Sequence, residues 1–327
     1  MEILLIITLL LLSILAIAKG SDFFTDSLVP LSNKLGVSKV FIGVILVSVA
    51  VSIPEVSVSL LGRIRGYESL SIGIVLGSIL CNIGLMVGLP ALSKNMRVSK
   101  HMILRDGVFS IVAPILLLAV ASNGSVTRLE GIALILVFIT YIINVYIQET
   151  AVNIETKERD LKEVEMSLKF IGIDFIKLKS PWAAFTIGVF ILLLGTEVFI
   201  TQLINLTEFI GVTQLAAGMT IGALGTSIPN IVSAFQATKK GMTEIAVSSA
   251  LGSNIFTILV TVGVLASYAT LEFNPSVVAV DLPLIIVASV LLFYFMLTKR
   301  SVSRLEGLLL LAFYFAGLFL PLLIANQ

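Results

Sequence analysis

Two short phrases hold the residues most able to do chemistry. "AVSIPE" occupies residues 50–55 and "GTSIPN" residues 225–230, each inside a long apolar stretch. A proline within a helix supplies no backbone N–H and crowds the preceding turn. In hydrocarbon, the carbonyls it frees persist only where a protein group, water or a bound ion meets them. Ser52 and Ser227 stand two residues before the prolines, and Thr226 adds a hydroxyl to the second copy. Glu55 closes the first phrase with a carboxylate, which costs several kcal/mol inside a bilayer and is there by default for function. Freed carbonyls, hydroxyls and a carboxylate make the oxygen set that hard cations take. The second phrase ends instead in Asn230.

Each phrase has a companion, "GSILCNIG" at 77–84 and "GSNIFTIL" at 252–259. Their glycines allow close helix approach, and Ser78, Asn82, Ser253 and Thr257 offer side-chain oxygens. Ser78 and Asn82 are four residues apart and share a helix face. The competing reading is packing, since Ser and Thr in helices often bond their own carbonyls. Glu55, and the repetition of the phrase at matched depth, favour a cation pathway. The other ionisable residues suggest less. Asp22, Asp26 and Glu197 are expected to cap helices or line an entrance. Lys19 is expected to snorkel or pair with Asp22, and Asp281 to lie at the membrane interface. Glu68 and Glu244 flank loops, and Trp182 opens a span, where aromatic belts occur. The single cysteine, Cys81, excludes a disulfide framework or a cysteine metal cluster and is expected to pack. The single histidine, His101, argues against zinc or haem chemistry.

The elements that carry these residues follow from composition. Of 327 residues, 57% are hydrophobic and 13% charged, with a mean hydropathy of +1.10; soluble domains carry about 25% charged residues. Apolar runs of roughly 17–25 residues, enough to cross about 30 Å of hydrocarbon, recur along the chain. The fold class is all-α, a polytopic membrane protein; the ten-residue alternation of a membrane β-barrel is missing. Spans are expected near 2–28, 39–62, 69–93, 103–121, 129–148, 182–207, 214–237, 244–270, 278–297 and 305–324. The first resembles a signal peptide, but it starts with Glu2 and its repeat partner is internal, so it is read as a retained span.

The halves repeat. Gly20 and Gly195, Gly43 and Gly218, Ser52 and Ser227, Pro54 and Pro229, Gly77 and Gly252, and Ser78 and Ser253 all stand 175 positions apart. The expected division is 1–148 for the first half, 149–180 for a polar cytoplasmic linker and 181–327 for the second half. Five spans per half invert the second copy. Lys and Arg concentrate after odd-numbered spans, leaving Arg63, Arg65 and Arg128 opposite. By the positive-inside rule both termini are expected to face outward, in the plasma membrane of a prokaryote. Inverted repeats with interrupted helices in matching positions are the architecture of secondary transporters.

These phrases resemble the calcium:cation antiporter superfamily, in particular its prokaryotic sodium/calcium exchangers. There each of two α-repeats carries a phrase like G-T-S-L-P-E, followed by one like G-S-N-I-x-[ND]. The resemblance covers nearly the whole chain. It implies that carboxylates at the ends of the phrases, aided by carbonyls just upstream, hold Ca²⁺, with Na⁺ sites flanking. By position Glu55 matches the first carboxylate, Ser52 and Ser227 the serines of the phrases, and Ser78 and Ser253 the companion serines. Asn82 matches the companion Asn, and Thr226 the Thr whose carbonyl is a ligand. Val51 replaces the other Thr, which costs a hydroxyl but leaves a carbonyl. Asn230 replaces the second Glu, and Thr257 an Asp or Asn.

The expectation is therefore Na⁺/Ca²⁺ exchange by alternating access, with no enzymatic activity, no cofactor, and inorganic cations and lipid as the only partners in view. Because Glu55 alone leaves Ca²⁺ with a net +1, exchange of monovalent cations or protons is the alternative. An intramembrane enzyme would want a nucleophile–base pair or an acidic cluster, and neither is evident. A non-transporting sensor is the remaining alternative of a different class.

Overall fold

The computed structural model describes residues 2–34, 51–150 and 180–324. Helices dominate: α1 (Glu2–Lys34), α2 (Val51–Ile64), α3 (Glu68–Cys81), α4 (Val108–Ala121), α5 (Arg128–Thr150), α6 (Pro181–Ile210), α7 (Ala223–Lys239), α8 (Thr243–Phe256), α9 (Leu282–Lys299) and α10 (Arg304–Ile324). Eight described stretches are long and apolar enough to cross a membrane. The span expected at 39–62 is described only from Val51, and the linker at 149–180 lies outside the described residues except at its edges.

The stretches containing α3 and α8, Glu68–Ser93 and Thr243–Tyr268, are 89% and 83% buried, whereas the other six are between 28% and 50% buried. The two companion phrases therefore run through the centre of the bundle. The leucines at 4, 5, 11 and 12 of α1 are exposed, as expected of a helix whose outer face meets lipid.

Two-residue strands staple the ends. β1 (Met96–Arg97) pairs antiparallel with β4 (Ser301–Val302), and β2 (Ser125–Val126) with β3 (Leu271–Glu272). Met96 and Leu271 are repeat mates, 175 positions apart. Helix α4 leads from β1 towards β2, and β2 pairs with β3, so β1 and its mate β3 sit at opposite ends of the bundle. The halves are inverted relative to each other. The end at β2 and β3 also holds Arg63, which donates to the Thr270 carbonyl at 2.6 Å and pairs with Glu68.

The helical irregularities repeat too. π-Helical turns follow α3 (Asn82–Gly88) and α8 (Thr257–Thr261), and precede α4 (Ile103–Gly107) and α9 (Val277–Asp281). Another, Gly218–Gly222, precedes α7. Pro229 cannot donate to the Gly225 carbonyl one turn upstream. The second phrase thus stays helical through Ser227-Ile228-Pro229, and the interruption takes the form of a widened turn just before it. Such turns are frequent at functional sites.

Candidate cation site

Close backbone contact brings the two halves together. A side chain at Gly73 would strike the Leu215 carbonyl, and one at Gly218 would stand 3.0 Å from the Gly73 Cα. Only glycine lets α3 lie this near the turn that leads into α7. That places the first companion phrase beside the second Pro phrase.

The carboxylate of Glu55 is fully buried. Its Oε1 accepts hydrogen bonds from Asn230 Nδ2 at 3.0 Å and Ser227 Oγ at 3.3 Å. Its Oε2 is equally buried and has no hydrogen-bond partner among the described residues. Glu55 and Asn230 are repeat mates, and so are Ile79 and Asn254, whose Nδ2 donates to the Ile79 carbonyl at 3.5 Å. Mates that touch each other lie on the two-fold relation between the halves, as in any interface built of two equivalent patches.

A second polar cluster adjoins through α2. Ser52 Oγ lies 2.8 Å from Ser253 Oγ. Asn82 Nδ2 donates to Ser253 Oγ at 3.1 Å and to Asn254 Oδ1 at 2.9 Å. The repeat would carry the Ser52–Ser253 contact over to Ser227 and Ser78. Ser227 instead turns to Glu55, and Ser78 Oγ is left without a partner, as are Asn82 Oδ1 and Thr257 Oγ1. Stranding buried polar atoms is costly. Among the described residues, these four oxygens, Glu55 Oε2 included, are buried on neighbouring helices and left open to a partner.

The structure thus brings Glu55, Ser227 and Asn230 together, and separately Ser52, Ser253 and Asn82; Ser78 and Thr257 are buried on the same central helices. Thr226 directs its hydroxyl to the Gly222 and Ala223 carbonyls, each at 3.1 Å, so its carbonyl is what it has to offer an ion. Val51 opens α2, but its side chain lies outside the described residues. Asn254 joins the cluster without having been expected. It stands in the quoted "GSNIFTIL", but its mate is the apolar Ile79, so comparing the copies hid it. Thr261, one turn beyond Thr257 and also without a partner, is a second addition.

Outlying residues have ordinary partners. Glu197 pairs with Arg65, Lys19 lies 3.5 Å from Asp22, and Glu244 accepts from the Ser99 amide at 3.3 Å. Cys81 is buried in the core and donates to the Tyr314 hydroxyl at 3.5 Å.

The sodium/calcium exchanger protein family matches this chain over residues 5–147 and 180–323, one stretch in each half. The chain belongs to that family. Among relatives of this exchanger, the sodium/calcium exchanger MaX1 of Methanosarcina acetivorans is 28% identical, the match covering 95% of this chain and 96% of the relative. The inner membrane protein YrbG of Escherichia coli is 26% identical over 90% of this chain and 89% of its own length. The fold is that of the solved sodium-calcium exchanger NCX_Mj, with a TM-score of 0.64, 22% identity, and coverage of 95% of this chain and 97% of that one.

Proposed function

We propose that this chain is a secondary active antiporter that exchanges Na⁺ for Ca²⁺ at a site between its two repeats, opened alternately to each side of the membrane. One observation carries the reading: a fully buried carboxylate on the two-fold relation, with Oε2 unpartnered, among further buried oxygens that lack donors. Family membership and a relative named as a sodium/calcium exchanger favour calcium over the monovalent or proton exchange that Asn230 suggested. They also favour transport over catalysis.

In this reading Glu55 supplies the only negative charge at the centre. Asn230 is two-faced. Its amide nitrogen bonds Glu55, and rotating the amide presents oxygen to an arriving cation. Ser52, Ser227, Ser78, Ser253, Asn82 and Thr257 contribute side-chain oxygens, and Val51 and Thr226 contribute carbonyls. Neutral oxygens thereby make up for the missing second carboxylate, and Ca²⁺ readily takes six to eight of them. The halves run 1–148 and 181–327 about the 149–180 linker, which the positive-inside rule places in the cytoplasm of a prokaryotic cell, with both termini outside.

The test is radiocalcium uptake by Na⁺-loaded liposomes containing the purified protein, repeated without Na⁺ and with a pH gradient in its place. Uptake that requires the Na⁺ gradient is expected. Intact vesicles that accumulate calcium only under the pH gradient, or under neither, would sink the proposal.

A further inference from the structure

Asp106 and Asp281 are repeat mates, 175 positions apart. Each lies in a π-helical turn at the entry to a span, and each is buried, with 1% and 2% of its surface exposed. Their surroundings differ completely. Asp106 receives Arg105 Nε at 2.7 Å and Nη2 at 3.0 Å, the Tyr141 hydroxyl at 3.0 Å and the Ser248 hydroxyl at 3.2 Å. Among the described residues, neither oxygen of Asp281 has a hydrogen-bond partner.

The repeat shows why. The mates of Arg105 and Ser248 are Val280 and Gly73. Beyond β2 the offset becomes 176, as "RLEG" at 128–131 and 304–307 shows, and the mate of Tyr141 is Gly317. Every donor that holds the first carboxylate is replaced by a residue with no polar side chain, yet the acid itself is retained. A buried ionised carboxylate without a partner is far too costly to persist, and in a membrane span such a group is by default functional.

Among the described residues, charged groups of α3, α9 and α10 bond elsewhere or lie far from Asp281. On α3, Glu68 is paired with Arg63 and accepts the Glu272 amide, and Cys81 is bonded to Tyr314 of α10. Asp106 and Arg105 hold each other. On α9 and α10, Lys299, Arg304 and Glu306 lie at the far end of a helix that runs 18 residues beyond Asp281. None of them makes an ion pair or hydrogen bond with Asp281. A metal cation needs several oxygens at once. A proton needs one.

We propose that Asp281 is a proton-binding site of the second repeat, its carboxyl carrying H⁺ while the bundle is packed as described. The proposal is independent of which cation the central site exchanges. Infrared spectroscopy of the reconstituted protein at about pH 7.5, where a free aspartate is fully ionised, tests it directly. The protonated-carboxyl band is expected in wild type, reduced in Asp281→Asn and unchanged in Asp106→Asn. An unaltered band in Asp281→Asn, or no band in wild type, overturns the assignment. Should Asp281→Asn fail to fold, the wild type still answers. An apolar carbodiimide, which reacts with protonated carboxyls, followed by peptide mass mapping, is expected to modify Asp281 at least tenfold more than Asp106. Equal modification, or none at Asp281, overturns the assignment as well.

Discussion

Asn230→Asp restores a second negative charge to the central site with almost no change in side-chain size, and its consequences follow from distances in the structure. Asn230 Nδ2 stands 3.0 Å from Glu55 Oε1, so a carboxylate there faces the same ion as Glu55. At about 4 Å and an effective dielectric of about 20, a unit-charge pair is worth roughly 4 kcal/mol. The added attraction is then about 4 kcal/mol for Na⁺ and about 8 kcal/mol for Ca²⁺. Desolvating the new carboxylate removes several kcal/mol, but it does so equally for both ions. The difference of about 4 kcal/mol therefore survives in the selectivity, as an upper bound of roughly three powers of ten. The expected result is a Ca²⁺/Na⁺ affinity ratio at least tenfold above wild type, read by calorimetric titration of the purified protein with each ion. In the ion-free protein the substitution also replaces a hydrogen bond by two like-charged oxygens, so Ca²⁺ should raise the variant's Tm more than it raises that of wild type. Tight binding is expected to slow turnover in the liposome assay. A folded variant with an unchanged ratio would refute the reasoning, because Asn230 could not then face the ion.

Four further substitutions test the scaffold and the site. Glu55→Gln removes the only carboxylate of the cluster while keeping an acceptor for Ser227 and Asn230. Calcium uptake should fall at least a hundredfold with Tm preserved, and retained affinity would displace the site from Glu55. A methyl group at Gly77 would stand 2.6 Å from the Ala223 Cβ and strike the Met219 carbonyl. Gly77→Ala should therefore cost about 1–3 kcal/mol, read as a lower Tm, with exchange impaired by the displaced α7; a Tm equal to wild type would contradict the packing. Asp106→Ala leaves Arg105 partly buried without its carboxylate, a loss of about 3–5 kcal/mol for a buried pair, whereas Tyr141→Phe removes one neutral donor and about 1.5–3 kcal/mol. Reversal of that order in thermal or denaturant unfolding would contradict the assigned network.

Much of this arrangement was legible in the sequence because the repeat is written in glycine, proline and serine, residues whose roles depend on backbone position. Pro54 with Pro229 and Gly77 with Gly252 fixed the correspondence between halves, and Glu55 stood out as a carboxylate in hydrocarbon. The same comparison concealed what the copies do not share. Asn254 has an apolar mate, so comparing the copies did not single it out, yet it accepts a hydrogen bond from Asn82. An irregular turn near the second proline was legible as well, while the stretch before Val51 lies outside the described residues. The form of that turn was not: whether a freed carbonyl leads to unwinding or to a π-helical turn depends on how tightly α3 packs against residues 218–222. Asp281 was expected at the membrane interface from its place near a span end. It does open a span, and its burial there is a matter of tertiary packing that hydropathy along the sequence does not encode.

The duplication also explains why the departures from symmetry matter. If the halves were identical, the site on their two-fold relation would present the same ligands to either side of the membrane, and the outward- and inward-facing arrangements would be equal in energy. Asn230 opposite Glu55 places the charge on one repeat. Asp281 opposite Asp106 leaves one repeat with a bonded network at its span entry and the other with an unpartnered acid. Both differences stabilise one arrangement relative to its mirror partner, because the groups exposed on opening one half are not those exposed on opening the other. In the proposed exchange, a cation bound between Glu55 and Asn230 would offset the first difference, and a proton on Asp281 the second. Occupancy of each site can therefore shift the balance between the two arrangements, and a ligand does so only by the difference in its affinity for them.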